Sequence, residues 1–358
     1  MSLLAPELIA APDHEALPSD FPMNLSDSDD APETAPECMQ TFVSEENRWA
    51  LILAGGDGTR LRGLTQLISG DDRPKQFCRV FGQQSLLEQT RQRAARSVRP
   101  AQTIVALTRS HERYYEQDPG PISSYRLIQP SNRGTAPAII LGLQHIMAQD
   151  PDAVVAILPS DHYYSDEAAF HASLESAFAA ARAHRESIVL LGAKAHSPAM
   201  EFGWIDVGPL AGVNLFRVRG FEEKPSHPIA ERLLRSGALW NTFVMVGHAS
   251  ALLWMSFVTL PKLVAVLDLS LPRCDENGDL VVAASTYENI PTTDFSRDVL
   301  AFNAQRLLAL RLERLEWYDL GHPDRLISVV RAWSKEIPPW IPAWEGAQKS
   351  ARPAIYQV

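Results

Sequence analysis

Four short apolar runs divide the middle of the chain. The first covers residues 49–54 (WALILA) and ends in glycines, and similar runs occupy residues 103–107, 153–158 and 187–191. Unbroken apolar runs of this length are typical of strands that are buried on both faces of a parallel sheet. We therefore expect four parallel strands at these positions.

Amphipathic patterns typical of helices lie between these runs. They cover residues 85–95, 136–148 and 166–185, and Thr135 and Ser165 are the expected N-cap residues of the second and third helices. Strands that alternate with helices at this spacing predict a doubly wound α/β domain. We expect a mostly parallel, mixed Rossmann-like sheet with helices on both faces.

The regular alternation ends near residue 200, and the elements that follow are shorter. Strands are predicted at residues 203–206, 215–221 and 239–246, and helices at residues 228–236 and 248–258. Strands and helices therefore mix in the second half of the chain without a clear repeat.

The two ends of the chain differ from the middle in composition. Residues 1–47 carry eleven of the 43 acidic residues, six prolines and none of the 33 Lys and Arg residues, which predicts a disordered acidic tail. Residues 331–358 contain three tryptophans and four prolines with little periodicity, and we expect a tail packed on the surface there. One folded domain is thus expected over residues 48–335, followed by a C-terminal tail over residues 336–358.

Charge and cysteine content exclude several classes of protein. The acidic tail accounts for the net charge of −10, so the rest of the chain is nearly neutral, which argues against a nucleic-acid-binding protein. We expect no membrane span, because no run of 18 apolar residues is present. We expect no secretory signal either. The three scattered cysteines, Cys38, Cys78 and Cys274, fit a reducing cytoplasm better than a disulfide framework or a zinc site.

A glycine-rich turn follows the first predicted strand, at residues 53–61 (LAGGDGTRL). Such turns at the carboxyl ends of strands bind phosphates in α/β folds, because small residues let backbone N–H groups approach an anion. The spacing matches neither a Walker loop nor a GxGxxG fingerprint. Arg60 and Lys75 lie close by in sequence and suit a polyanionic substrate, although either cation alone is also compatible with a solvated surface charge.

A carboxylate follows the third predicted strand. Asp161 lies just beyond the run at residues 153–158, where the nucleotide crevice of an α/β fold is expected, and it is well placed to hold Mg²⁺. A turn or N-cap role is the alternative for Asp161. We expect the neighbouring His162 to be structural, and Ser165 and Asp166 to cap the next helix.

Eight segments in a fixed order resemble the sugar-1-phosphate nucleotidyltransferases, and PKQF is closest to the mannose-1-phosphate guanylyltransferases. The resemblance covers roughly residues 49–330 and implies a fold of the nucleotide-diphospho-sugar transferase type. The segments are LAGGDGTRL (53–61), RPKQF (73–77), QPSNRGTAPAI (129–139), LPSDH (158–162), FGWIDVG (202–208), FEEKP (221–225), LWNTFVMV (239–246) and WYDLGHP (317–323).

The resemblance implies a role for each matching residue. Arg60 and Lys75 would be catalytic, and Asp161 and Asp319 would hold Mg²⁺. The residues implied in nucleotide binding are Leu53, Ala54, Gly55, Gly56, Gly58, Thr59, Arg133, Thr135, Pro159 and Ser160. The residues implied in binding the sugar phosphate are Gly203, Glu223, Lys224 and Asn241.

Three positions depart from the pattern of the family. Tyr318 replaces a serine and adds bulk beside Asp319, Thr242 and Phe243 replace a Ser-Gly pair after Asn241, and Gly134 replaces an asparagine that lies near the nucleobase in relatives. Phe243 is expected to narrow or reshape the wall of the sugar-binding pocket. These departures keep other sugars and other bases open as alternatives.

The implied reaction is the condensation of mannose 1-phosphate with GTP to GDP-mannose and pyrophosphate. The attacking phosphate oxygen is already ionised at neutral pH, so no protein nucleophile is needed. A thymidylyl- or uridylyltransferase and a non-catalytic nucleotide-sugar sensor are the alternatives, while the missing dinucleotide fingerprint disfavours a dehydrogenase. We expect small-molecule partners, with a homodimer as one arrangement, and no room for an isomerase domain after residue 330.

Overall fold

The computed structural model describes residues 47–117, 124–334 and 336–351. The segment predicted as an acidic tail lies outside these residues except for Asn47, and so do residues 352–358 of the predicted C-terminal tail. The described residues belong to one structural unit.

Eleven strands of the described chain form one mixed sheet, and two more form a separate antiparallel ribbon. The strands are β1 (Arg48–Leu53), β2 (Thr103–Thr108), β3 (Tyr125–Gln129), β4 (Val154–Pro159), β5 (His162–Tyr164), β6 (Ile188–Lys194), β7 (Gly203–Gly212), β8 (Leu215–Glu223), β9 (Leu239–His248), β10 (Arg273–Cys274), β11 (Leu280–Val281), β12 (Leu307–Arg311) and β13 (Trp317–Asp319). The order in the sheet is β10-β11-β3-β2-β1-β4-β9-β6-β12-β8-β7, and β5 pairs with β13.

Three of the four expected parallel strands, β1, β2 and β4, lie side by side in the centre of the sheet, and the fourth, β6, is separated from them by β9. Strands β3, β2, β1 and β4 are parallel neighbours, and β9 runs antiparallel to both β4 and β6. Along β1, Trp49 and Leu51 enter one core while Ala50 and Ile52 enter the other. This burial on both faces explains the unbroken apolar run, and the predicted α/β fold with a mixed, mostly parallel sheet is confirmed.

Helices cover both faces of this sheet. They are α1 (Arg62–Ser69), α2 (Leu86–Ala94), α3 (Glu112–Tyr115), α4 (Thr135–Gln149), α5 (Glu167–Ala183), α6 (His227–Arg235), α7 (Ala249–Thr259), α8 (Pro261–Asp268), α9 (Ala284–Glu288), α10 (Pro323–Trp333) and α11 (Trp340–Ala351). The apolar sides of α2 and α5 contribute to one core, and those of α4, α7 and α8 contribute to the other.

Two of the predicted helix caps are wrong. The N-cap position of α4 is Gly134, and the Thr135 hydroxyl instead accepts a hydrogen bond from the backbone N–H of Phe295 at 2.8 Å. The carboxylate of Asp166 caps α5, while the Ser165 hydroxyl accepts from the Glu316 N–H at 2.8 Å. In both cases a hydroxyl expected to cap its own helix is used to hold a distant segment.

No single helix in the described ranges is both long and apolar enough to cross a membrane. Helices α7 and α8 meet that criterion only when they are taken together, across a bend of 120°. Both helices pack against α4 and bury Leu252, Met255, Leu263 and Leu267 in the core. Their apolar content therefore has an explanation within the domain.

The segment expected to be an aperiodic C-terminal tail contains helix α11. Trp340 and Ile341 are buried in a cluster with Leu64 of α1 and Val330 of α10. The ring of Trp344 lies close to Gly63, where an added Cβ would sit 3.4 Å from the indole. Helix α11 is thus packed against the domain.

Replacing Ile341 with alanine is expected to lower the free energy of unfolding by about 2–4 kcal/mol, because this side chain is fully buried. Urea unfolding of the two proteins measures the difference. The exposed Gln348 of the same helix is the matched control, and Gln348→Ala should change the free energy by less than about 0.5 kcal/mol. A loss below about 1 kcal/mol for Ile341→Ala would mean that α11 is only loosely attached.

Candidate active site

A cavity of about 400 Å³ opens at the carboxyl ends of the central parallel strands. Its lining begins at Leu53 of β1, Gln129 of β3 and Pro159 of β4 and extends to Glu223 of β8 and Asn241 of β9. The carboxyl edge of a parallel sheet is the usual position of ligand sites in doubly wound folds. The cavity therefore has one end at the parallel strands and a second end at the antiparallel ones.

The first end is shaped by the glycine loop, residues 54–58, which follows β1. The buried Gln76 amide donates to the carbonyl oxygens of Ala54 at 2.9 Å and Gly56 at 2.7 Å. The Thr108 hydroxyl donates to the Gly55 carbonyl at 2.9 Å. Three consecutive carbonyls are thus fixed by side chains, which holds the loop in one conformation. Neither Gln76 nor Thr108 was among the predicted site residues.

A polar chain ties the glycine loop to the loops that follow β2 and β3. Asp57 lies 3.2 Å from Nε2 of the buried His111 and accepts a hydrogen bond from the Asn132 amide at 3.1 Å. The side-chain oxygen Oδ1 of Asn132 in turn accepts a hydrogen bond from the Gly134 N–H at 3.0 Å. Burial lowers the pKa of His111 despite the nearby carboxylate of Asp57. A neutral imidazole that donates from Nε2 therefore fits this contact.

Gly134 occupies a position that no other residue fits. Its φ is 82°, and an added Cβ would lie 2.3 Å from the backbone oxygen of Thr293. The same oxygen accepts the N–H of Ala136, and the Thr293 N–H donates to the Arg133 carbonyl at 2.9 Å. The asparagine of relatives is thus incompatible with this arrangement of the loop.

Gly134→Ala is expected to lower Tm by several degrees, because the new Cβ displaces backbone rather than a flexible side chain. Gly56→Ala is the matched control in the same cavity, since its Cβ would meet no atom within 4 Å. That variant should keep the wild-type Tm, and any ligand held against the glycine loop should bind it more weakly. Equal Tm values for the two variants would contradict the close contact at Gly134. Differential scanning fluorimetry and ligand titration provide the two measurements.

The predicted site residues fall into two groups. Those that line the cavity are Leu53, Gly55, Gly56, Arg60, Thr135, Pro159, Asp161, Glu223, Lys224, Asn241 and Asp319. Those that do not line it are Ala54, Gly58, Thr59, Lys75, Arg133, Ser160 and Gly203. Several residues of the second group support the first. Gly58 adopts the left-handed conformation that starts the turn at Thr59–Leu61, and Ser160 donates to the Leu53 carbonyl at 2.7 Å.

Two carboxylates far apart in sequence meet at the centre of the cavity. Strand β5, directly after Asp161, pairs with β13 so that Asp319 lies opposite His162. The ammonium of the buried Lys75 lies 3.2 Å from Asp161 Oδ2 and 3.5 Å from Asp319 Oδ1. We call Asp161 and Asp319 the carboxylate pair. Lys75 thus bridges both members of this pair.

The surroundings favour an ionised carboxylate at Asp161 and a neutral imidazole at His162. Burial is the largest single influence on Asp161 and would raise its pKa, but the charge of Lys75 acts together with the neighbouring His162 and with hydrogen bonds from Lys75 and the backbone, so the pKa is lowered. Burial lowers the pKa of His162. Trp317 Nε1 donates to His162 Nδ1 at 3.2 Å, which leaves the ring proton on Nε2. That nitrogen lies 3.7 and 3.8 Å from the two carboxylates.

The carboxylate of Asp319 is held in place by residues close to it in sequence. The guanidinium of Arg325 lies 3.3 Å from its carboxylate, and a Cβ on Gly321 would lie 2.7 Å from Asp319 Oδ2, so glycine makes room for the carboxylate. The expected bulk of Tyr318 beside Asp319 is corrected by the structure. Side chains alternate along a strand, and Tyr318 packs on the other side, near Tyr163.

The second end of the cavity, which we call the Glu223 end, consists of Glu223, Lys224, Asn241, Phe243 and Asp294. Lys224 Nζ lies 3.2 Å from the Glu223 carboxylate, and burial raises the pKa of Glu223. The negative charge of Asp294 adds to this increase. Asp294 therefore lies near Glu223.

The space behind Glu223 is closed by a glycine. A Cβ on Gly203 would lie 2.6 Å from Glu223 Oε2 and 3.2 Å from the Asn241 side chain. Gly203 is thus a supporting residue of the Glu223 end. Among the described residues, no group of three or more His, Cys, Asp or Glu side chains is arranged to hold a metal ion.

The fold and this cavity are those of an α/β protein with a ligand site at the carboxyl edge of its sheet. The chain belongs to the nucleotidyl transferase family, whose model matches residues 49–336. The resemblance to sugar-1-phosphate nucleotidyltransferases, closest to the mannose-1-phosphate guanylyltransferases, is thereby confirmed.

Individual relatives agree with this assignment. The alginate biosynthesis protein AlgA of Pseudomonas aeruginosa is 30% identical over 279 residues, which are 76% of this chain and 56% of AlgA. A mannose-1-phosphate guanylyltransferase of Sinorhizobium fredii is 25% identical over 280 residues, or 76% of this chain and 53% of that protein. The chain thus spans about half the length of the curated relatives it matches.

One solved structure is similar in both fold and sequence. A protein from Thermus thermophilus described as a mannose-1-phosphate geranyltransferase superposes with a TM-score of 0.67 and 28% identity. The match covers 81% of this chain and 80% of that one. A UDP-glucose pyrophosphorylase complexed with UDP-glucose, at 16% identity and a TM-score of 0.50, shares the fold.

Proposed function

We propose that this protein joins a hexose 1-phosphate to a nucleoside triphosphate, with mannose 1-phosphate and GTP as the favoured pair. The observation that carries the proposal is that one cavity is lined by the glycine loop, by the carboxylate pair that Lys75 bridges, and by the Glu223 end. A triphosphate on the glycine loop and a sugar phosphate at the Glu223 end would bring their phosphates together at these charges. The names of the relatives from Sinorhizobium fredii and Thermus thermophilus support the choice of mannose 1-phosphate.

The reaction needs alignment and charge neutralisation. A phosphate oxygen of the sugar phosphate forms a bond to the α-phosphorus, and the bond from that phosphorus to the bridging oxygen breaks, which releases pyrophosphate. The nucleophile is already an anion, so the protein does not have to remove a proton. Arg60, which lines the cavity, and Lys75, which contacts the carboxylate pair, would stabilise the charge that moves toward the leaving pyrophosphate.

The donor set at the centre of the cavity fits Mg²⁺. Two carboxylates that approach the same ammonium offer hard oxygen ligands, and Mg²⁺ is typically held by one or two carboxylates together with substrate phosphates and water. Asp161 and Asp319 would hold the ion in this proposal. When bound, it supplies positive charge to the reacting phosphates.

A panel of four nucleoside triphosphates against mannose, glucose and other hexose 1-phosphates tests this proposal. Pyrophosphate release should be greatest for GTP with mannose 1-phosphate and should need both substrates. Faster turnover of another pair would correct the base or the sugar. No release from any pair, with nucleotide-sugar binding intact, would favour the sensor and overturn the proposed reaction.

Glu223→Gln is expected to raise the KM for the sugar phosphate by about tenfold or more, because charged hydrogen bonds contribute about 1.5–3 kcal/mol. The KM for the triphosphate should stay within about twofold, since Glu223 lies at the opposite end of the cavity. The pKa of Glu223 is raised, so its carboxylate form, the stronger acceptor, increases as the pH rises. The wild-type KM for the sugar phosphate should therefore fall with rising pH.

The glutamine variant cannot titrate at this position, so its KM for the sugar phosphate should not follow the same pH dependence. Steady-state kinetics of both proteins across the acidic range make the comparison. An equal increase in the KM values of both substrates would show that Glu223 does not bind the sugar.

A further inference from the structure

The wall of the Glu223 end contains a residue in an unusual backbone conformation. Phe243 has a φ of 61°, in the left-handed region that a bulky side chain rarely adopts. Lys224, at the same end of the cavity, has a φ of 50°. Only four non-glycine residues of the described chain have a positive φ, and two of them line this end. Backbone strain of this kind is concentrated at functional sites.

The conformation of Phe243 is fixed by a bulge in β9. Asn241 pairs with Gly192 of β6 and Met245 pairs with Leu190, so residues 242–244 lie opposite the single residue Leu191. The Thr242 hydroxyl donates to the Leu191 carbonyl at 2.7 Å, and the Asn241 side chain accepts the Phe243 N–H at 3.2 Å. The buried side chains of Asn241 and Thr242 therefore hold the bulge.

The bulge directs one aromatic ring to the cavity wall. Phe243 is half-buried, packs against the core below it and lines the cavity together with Glu223 and Asn241. Phe202 also lines the cavity, but its ring is buried against Trp240 and Trp317. Phe243 is thus the more exposed of these two aromatic rings in the wall.

We propose that Phe243 sets the size limit of the sugar pocket, admitting hexose 1-phosphates that carry only hydroxyl groups and excluding those with an acetamido group. The inference rests on the proposed function and adds the substrate class. A rigid wall rejects an added group through steric overlap, and here the locked bulge prevents the ring from withdrawing. Glu223 and Asn241, which line the same end of the cavity, are both largely buried and have little freedom to compensate.

The test compares Phe243→Gly and Phe243→Ala with the wild type. The measured quantity is the ratio of kcat/KM for a 2-acetamido hexose 1-phosphate to that for mannose 1-phosphate, with acetamido substrates of both the gluco and manno configurations. We expect this ratio to rise at least tenfold in both variants. The matched control is Phe216→Ala, which removes a half-buried aromatic ring from the same core without opening the cavity, and it should keep the wild-type ratio.

Glycine adopts the left-handed conformation without strain, so the Tm of Phe243→Gly should be at least as high as that of Phe243→Ala. This result would show that both variants are folded and that the bulge persists. An unchanged ratio in folded variants, or a wild type that already uses acetamido sugars equally well, would overturn the inference while leaving nucleotidyl transfer intact. If no sugar phosphate turns over, calorimetry can measure the ratio of binding affinities for the nucleotide sugars of the 2-acetamido hexose and of mannose, so the inference stays testable. The absence of turnover with every sugar phosphate would count against the proposed function rather than against this inference.

Discussion

Lys75→Ala is expected to lower kcat by about 10²-fold or more, by comparison with the removal of a single group that stabilises transition-state charge. The buried ammonium of Lys75 contacts both members of the carboxylate pair, and in the proposed reaction it would stabilise negative charge that moves toward pyrophosphate. Its loss removes a charge from the transition state and also leaves Asp161 and Asp319 facing each other without a bridging cation. Steady-state pyrophosphate release at saturating substrates measures the effect.

The exposed Lys194 at the end of β6 provides the control for this prediction. Lys194→Ala should retain kcat within about twofold, because an exposed lysine outside the cavity contributes little. Thermal unfolding of both variants separates loss of catalysis from loss of fold. Near-normal turnover in a folded Lys75→Ala protein would remove Lys75 from the mechanism.

The second large effect concerns the carboxylate pair. Asp161→Asn and Asp319→Asn should each raise the Mg²⁺ concentration needed for half-maximal turnover and lower kcat by about 10²-fold or more. The kcat of the double variant should lie within about tenfold of that of the slower single variant. The losses should not add, because both side chains would act on one ion. Turnover across a Mg²⁺ titration of the three variants gives the comparison.

Asp294→Asn is the matched control for the pair, since it removes a carboxylate from the same cavity at the Glu223 end. This variant should keep the wild-type Mg²⁺ dependence. If Asp319→Asn also keeps it while Asp161→Asn is inactive, Asp319 is a structural residue held by Arg325 and Lys75. The proposed metal site would then need a different second ligand.

The central strands were predictable because each is buried on both faces. Such burial produces an unbroken apolar run, and β1, β2, β4 and β6 all carry one. Strand β3 was missed because Tyr125 and Arg126 interrupt its apolar pattern, and Arg126 instead bonds to Asp279 at 2.6 Å. Strands β5 and β13 have three residues each, too few for a periodic signal.

Helix α11 was missed for a different reason. Its apolar residues Trp340, Ile341 and Trp344 lie in a proline-rich stretch without periodicity, and such a composition predicts a tail. Proline is tolerated in the first turn of a helix, where its missing N–H has no partner to lose, and Pro342 lies in that turn. Composition alone could not distinguish these two situations.

The sequence predicts the site residues that match a family motif. It does not predict the residues that hold those motifs in place through contacts with distant segments. Gln76 lies inside a quoted motif, yet its bonds to the glycine loop connect residues at least 20 positions apart. The contacts among Asp57, His111 and Asn132 join three loops, and no pattern within any one loop indicates them. Such partners become visible only when the parallel strands place their carboxyl ends side by side.

Isotope labelling tests the central claim most directly. Mannose 1-phosphate with ¹⁸O in its non-bridging phosphate oxygens is incubated with the protein, Mg²⁺ and unlabelled GTP, and the products are examined by ³¹P NMR and mass spectrometry. Attack by the sugar phosphate on the α-phosphorus predicts one nucleotide sugar for each pyrophosphate, with all the label in the nucleotide sugar, one labelled oxygen in its bridge and none in pyrophosphate. Label in pyrophosphate, or GTP cleavage without a nucleotide sugar, would contradict the account.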